Sequence, residues 1–168
     1  MVKKFWEKFV DEKIIPYVFT FSKHPMRFIE LLKSNKAYID KLDPSTNVPG
    51  FKLSKTRLYI VYFVLWHLII IPVSIVFHNF LAKLDCHLSI VLAIIFTLIF
   101  FGIFEIFKEW LIDRVAGKII KKSWQNYLPH FEYEKYRHKV AQLYAEAVDK
   151  EIPKYEIERY IIDKLVES

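Results

Sequence analysis

Glycine and cysteine are almost missing from this chain, which holds three glycines and one cysteine in 168 residues. So little glycine leaves no Gly-rich loop to cradle a phosphate, and a lone Cys86 excludes an internal disulfide framework. Charge is missing too, but only locally: residues 58–82 contain no Lys, Arg, Asp or Glu, and neither do residues 88–104. Catalytic signatures are absent as well, with no GxSxG, HExxH, CxxC or paired-carboxylate pattern. No catalytic residue, metal or cofactor is therefore expected. Nor is an export signal, because Glu7, Asp11 and Glu12 are too acidic for one and the apolar run at 14–21 is short and interrupted by Pro16.

What is present is strongly segregated. Hydrophobic residues make up 54% of the chain and charged residues 26%, so the modest mean hydropathy of +0.18 averages apolar runs with polar flanks. The first run, Leu58–Ala82, would form about 37 Å of helix, and the second, Leu88–Phe104 extended to Phe107, about 30 Å. Each is long enough to cross a hydrocarbon core of roughly 30 Å. A soluble amphipathic helix would show polar residues every three or four positions, whereas these runs are apolar on every side. Only residues 83–87, LysLeuAspCysHis, separate them. A single rod would put Lys83 and Asp85 at its centre, so the runs are expected to fold back on each other.

The expected fold is an all-α membrane protein. Its centre is a two-span antiparallel transmembrane hairpin, with amphipathic N-terminal helices before it and a small cytoplasmic C-terminal helical bundle after it. The expected divisions are 1–50 for the N-terminal helices and connector, 51–107 for the hairpin (spans about 58–82 and 88–107, turn 83–87), and 108–168 for the bundle.

The formal charge is +6. Lys52, Lys55 and Arg57 precede the first span, and Lys108, Arg114, Lys118, Lys121 and Lys122 follow the second, while the turn carries only Lys83. That placement points to a lipid bilayer with anionic headgroups as partner rather than nucleic acid, for which no motif is present. Basic flanks stay on the cytoplasmic side, so both termini are expected there, with Cys86 facing outward and a bacterial inner membrane as the location. Tyr59, Tyr62 and Trp110 are expected as interfacial anchors on the inner face.

Outside the spans, Phe5, Trp6, Phe9 and Val10 form a stripe with Lys3, Lys4, Lys8 and Lys13 around it. Such a helix suits either a membrane surface, with Trp6 as a further anchor, or packing on the protein itself. The stretch 14–21 is too short to span but could dip into the interface. Pro25 is expected at the first position of a helix carrying Phe28, Ile29 and Leu32, and residues 35–50 read as a turn-rich connector. The second span is expected to continue as helix to about Trp124, before Pro129. Two further helices follow, one along Tyr133, Tyr136, Val140, Leu143, Tyr144 and Ala147, the other along Ile157, Ile161 and Leu165. His130 and His138 read as surface residues. A bundle of roughly 55 residues is near the lower limit for an independent core, so it is expected to lean on other elements.

Polar residues inside the spans are the candidate contacts. The first span holds His67, Ser74, His78 and Asn79; the second holds Ser89, Thr97 and Glu105. Folding the hairpin about Asp85 brings His67 to the level of Glu105 and Ser74 to that of Thr97, within about 3 Å. Ionisable groups in a membrane need a partner, so a His67–Glu105 contact is expected as interhelix glue, within or between chains; a proton or ion path is one alternative, and the other leaves Glu105 at the interface with Lys108 one turn on as its neighbour. Asp85, Cys86 and His87, with His78 upstream, are metal-capable, but their spacing matches no established site. Small-residue packing motifs are missing, since Ala93 and Gly102 are isolated.

Three functions follow. A non-enzymatic anchor, scaffold or accessory subunit presenting its cytoplasmic helices to a partner fits best. A homo-oligomeric channel or transport component would line its path with His67, Ser74 and His78. A membrane enzyme with an unrecognised site is the third.

Overall fold

The computed structural model describes residues 2–81 and 86–167, with side chains at 3–79 and 88–167. The turn 83–85 and the side chains of Cys86 and His87 lie outside the described residues. The chain is 79% helical. It forms two compact units, one of residues 1–19 and 53–111, the other of residues 20–52 and 112–168. This grouping is interleaved, unlike the three consecutive segments read from the sequence.

The first unit begins with α1 (Val2–Phe9), a π-helical turn (Val10–Ile14) and α2 (Ile15–Val18). Pro16 has no N–H to give to the preceding turn, and the widened π turn ends just before it. Val10, Ile14, Ile15, Val18 and Phe19 are buried, together with Leu58, Tyr62, Phe104 and Leu111 of the long helices. Within the apolar stretch at 14–19, Ile14, Ile15, Val18 and Phe19 are therefore core, while Pro16 and Tyr17 stay exposed. Val10 leaves the expected outer stripe and turns inward at 0% exposure, while Phe5, Trp6 and Phe9 stay outside.

The long helices are α5 (Lys55–Leu81) and α6 (Cys86–Tyr127). Both are long and apolar enough to cross a membrane, and only 6% of the most apolar window of each is buried. Pro72 sits inside α5 and removes one ladder donor, a defect found more often in membrane helices than in soluble ones. The unbroken α6 runs three residues past the expected Trp124. Leu128 N still donates to Trp124 O at 2.7 Å, and Pro129 follows.

The second unit packs α3 (Phe28–Ile39), α4 (Pro44–Asn47), the last part of α6, α7 (Tyr133–Asp149) and α8 (Ile157–Val166). Its core joins Phe28, Leu31 and Leu32 to Ile120, Trp124, Val140, Leu143, Ile157 and Ile161. The C-terminal helices thus lean on residues 28–39. Trp124, buried and edge-on to Tyr133 at 5.1 Å, donates through Nε1 to Phe131 O at 2.6 Å. Tyr127 OH donates to Met26 O at 2.9 Å.

Three local expectations are corrected. Pro25 does not open α3. Arg27 is its N-cap, and Glu30 accepts from Arg27 N at 2.9 Å and from Arg27 Nη2 at 2.6 Å. The connector 35–50 is partly helical, because α3 runs to Ile39 and Asp43 caps α4 by accepting from Ser45 N at 2.9 Å. The fold is also not purely α, since β1 (Phe19–Phe21) pairs with β2 (Phe51–Leu53). Gly50, at φ +100°, occupies a conformation that side chains disfavour, and its carbonyl accepts from Ser22 N at 2.9 Å.

Helices α3 and α7 end alike. Lys41 and Glu151 both take left-handed backbone, φ 56° and 54°. Leu42 N donates to Ala37 O and Ile152 N to Ala147 O, each at 3.0 Å, closing the same C-terminal motif twice without glycine.

Candidate functional site

In the first unit, aromatic rings fill the seam between α5 and α6. Tyr62 and Trp66, one turn apart, face Phe96, Phe100 and Phe104, themselves one turn apart. Tyr62 lies 5.0 Å from Phe100 and 5.1 Å from Phe104 between ring centroids. Trp66 lies 5.3 Å from Phe96 and 5.2 Å from Phe100, and Tyr59 stacks on Phe104 at 4.5 Å. The Tyr62 hydroxyl donates to the Phe100 carbonyl at 2.6 Å. Bulky rings thus do the packing that small residues do in many membrane helix pairs.

This seam sets a register different from the one expected. Residue 62 is level with 100–104 and residue 66 with 96–100, so residue 67 is level with about 97. Glu105 lies eight residues further along, roughly 12 Å of helical rise from the level of His67. The expected His67–Glu105 contact within one hairpin is corrected accordingly. His67 instead holds the Phe63 carbonyl through Nδ1 at 2.8 Å, with its ring 4.0 Å from that of Phe63. Glu105 pairs with Lys108 one turn along α6. Thr97 donates to Ala93 O at 2.8 Å, also within its own helix. Ser74 and His78 are exposed.

The four anchor candidates separate. Trp6 and Trp110 keep 37% and 38% exposure and Tyr59 keeps 52%. Tyr62 is only 4% exposed and ties the two helices together instead.

The second unit holds a polar cluster with no counterpart in the sequence reading. Asn35 is buried in α3, and its Nδ2 donates to the Arg137 carbonyl of α7 at 2.9 Å. Tyr38, one turn on, donates to Asp113 Oδ2 at 3.2 Å. Burial, reinforced by the Asp113 carboxylate, pushes the Tyr38 phenol up to about 12. Burial also raises Tyr133, whose ring has Lys121 Nζ at 5.4 Å and the Arg137 guanidinium carbon at 5.8 Å. Lys121 pairs with Glu134 at 2.5 Å and holds that carboxyl below its usual range. Asn35 Oδ1, Tyr133 OH and Arg137 Nε are buried without a hydrogen-bond partner among the described residues. The cluster is a hydrogen-bonding junction: near neutral pH Tyr38 keeps its proton, so it is a donor and not a base or nucleophile.

The aromatic ladder was within reach of the sequence, because Tyr62–Trp66 and Phe96–Phe100–Phe104 recur at helical spacing. The polar cluster was not, since Asn35 and Arg137 lie 102 residues apart. No protein-family model, curated protein or solved structure matches the chain.

Proposed function

We propose that the chain is an integral membrane anchor whose α5–α6 hairpin crosses a lipid bilayer and whose second unit serves as a scaffold for a partner subunit. One observation carries the reading. The apolar windows of α5 and α6 leave nearly all their side chains uncovered, whereas the core helix of a soluble protein would be wrapped. Leu68, Ile75 and Val76 are 71%, 71% and 75% exposed, and Leu98 and Ile106 are 67% and 68% exposed. Water would penalise such a surface heavily; hydrocarbon accepts it.

The basic flanks support an orientation with both termini cytoplasmic and the 83–87 turn outside, as in a bacterial inner membrane. The second unit has its own buried core, so its exposed face is available to other subunits of a membrane complex or to a second copy. The test is extraction followed by mass. The chain is expected to stay with membranes through alkaline carbonate, to require detergent for a folded state, and to give an assembly larger than one chain in nanodiscs. A folded, monodisperse chain in plain buffer contradicts the anchor. A lone chain in native membrane nanodiscs contradicts the scaffold.

A further inference from the structure

The outer face of α1 carries large rings that the hairpin and the second unit leave uncovered. Phe5 is 72% exposed, and Trp6 and Phe9, with ring centroids 5.9 Å apart, are 37% and 38% exposed. At about 100° per residue, Phe5, Phe9 and Trp6 form one stripe roughly 100° wide, and Lys3 and Lys8 flank it at nearly equal angles. Lys4 and Glu7 lie opposite, Lys4 exposed and Glu7 half-buried, so the charged side of the helix faces away from its aromatic stripe.

The depth of this segment is set by its neighbours in the same unit. Val10, Ile14 and Val18 are buried, and α2 packs against α5. Arg57, in the first turn of α5, donates to Tyr17 O at 3.2 Å and lies 5.6 Å above the Tyr17 ring. The first turn of a spanning helix is where it meets the headgroups, so α2 and Tyr17, itself 45% exposed, belong at that level.

We propose that α1 is a lipid-surface element: Phe5, Trp6 and Phe9 enter the headgroup–acyl boundary, and Lys3 and Lys8, which flank that stripe, bind anionic headgroups. This rests on the reading that the hairpin spans the bilayer. The charge pattern selects the occupant. Two copies meeting through this face would bring their flanking lysines together, whereas a bilayer bearing phosphatidylglycerol supplies the apolar layer and the counter-charge at once.

The test uses full-length chain in nanodiscs of phosphatidylcholine with phosphatidylglycerol, in a Cys86→Ser background. A nitroxide is placed at Phe5→Cys, Lys4→Cys or Leu68→Cys, and collisions with oxygen and with a water-soluble nickel chelate are compared. The expected result is a Phe5 label open to oxygen and shielded from nickel, a Lys4 label open to nickel, and a Leu68 label in lipid. Adding Lys3→Gln or Lys8→Gln is expected to raise the fraction of α1 off the surface roughly fivefold per lysine. A Phe5 label as open to nickel as the Lys4 label, with Leu68 still in lipid, overturns the proposal alone. A Phe5 label shielded from both reagents also overturns it, because protein then covers the face. Nickel reaching the Leu68 label overturns the hairpin reading, and this proposal with it. Identical behaviour in pure phosphatidylcholine overturns the headgroup recognition.

Discussion

Tyr62→Phe deletes one oxygen from the seam and leaves its ring in place. The hydroxyl donates to the Phe100 carbonyl, which the ladder of α6 also uses, so the bond is a second claim on one acceptor. Hydrogen bonds between membrane helices average about 0.6 kcal/mol and reach about 1.7. A loss of roughly 0.5–1 kcal/mol is expected. Tyr62→Ala also removes the ring, which lies within 6.0 Å of Trp66, Phe100, Phe104 and Phe107. In a water-soluble core that change costs about 3–5 kcal/mol. In a bilayer the separated helices face lipid as apolar as the seam itself, so the transfer part falls away and only lost packing counts. The expected cost is then roughly 2–3 kcal/mol. Reversible unfolding in mixed micelles with increasing dodecyl sulfate, followed by Trp fluorescence, measures both variants against the unaltered chain. Two results refute the reasoning: Tyr62→Phe as damaging as Tyr62→Ala, or Tyr62→Ala changing stability by less than about 0.5 kcal/mol.

Lys41→Gly and Glu151→Gly are each expected to stabilise the second unit by about 0.5–1 kcal/mol, because glycine takes the left-handed conformation without strain; thermal unfolding measures it. In the double-substitution cycle of His67→Ala and Glu105→Ala, partners on their own helices predict additivity within about 0.5 kcal/mol, and a larger coupling would place a contact between chains. The pH profile of stability is expected to fall at both ends. Arg27 holds the Glu30 carboxyl below its usual range and Lys121 holds Glu134 there, so the stability they add is present above the ordinary carboxylate pKa and is lost as pH falls through the depressed values. Tyr38 is pushed up to about 12 and Tyr133 is raised by burial, so the folded state keeps protons the unfolded chain releases, and stability declines as pH rises from about 10 towards 12. Tyr38→Phe should flatten the alkaline limb and leave the acid limb unchanged, as denaturant titrations at stepped pH would show.

Much of the helix layout was legible because its signal is one-dimensional. Charge-free runs, the long extension of α6 and the apolar faces of α7 and α8 all follow from spacing along the chain. Pairings between distant segments were less accessible. The hairpin register was read from the charges at the turn, but bulky rings packing as Trp66 packs on Phe96 and Phe100 decide it, and that shifts His67 away from Glu105. The strand at Phe19–Phe21 exists only because Phe51–Leu53 supplies its partner, and three residues alone have too little pattern to declare it. Pro25 looked like a helix start, yet the Arg27–Glu30 capping pair starts α3 three residues later, at Phe28. The Asn35–Tyr38–Asp113–Tyr133–Arg137 cluster draws on three helices, and no local periodicity reports it.

Sidedness of thiol labelling tests the spanning hairpin most directly. Cys86 is the chain's one cysteine, and Gln125 is exposed near the far end of α6. In sealed vesicles of known orientation, a membrane-impermeant maleimide is applied from each side to the unaltered chain and to Cys86→Ser/Gln125→Cys. The account predicts that the two thiols react from opposite faces, Cys86 from outside and residue 125 from the cytoplasm. Reaction of both from the same face would contradict it.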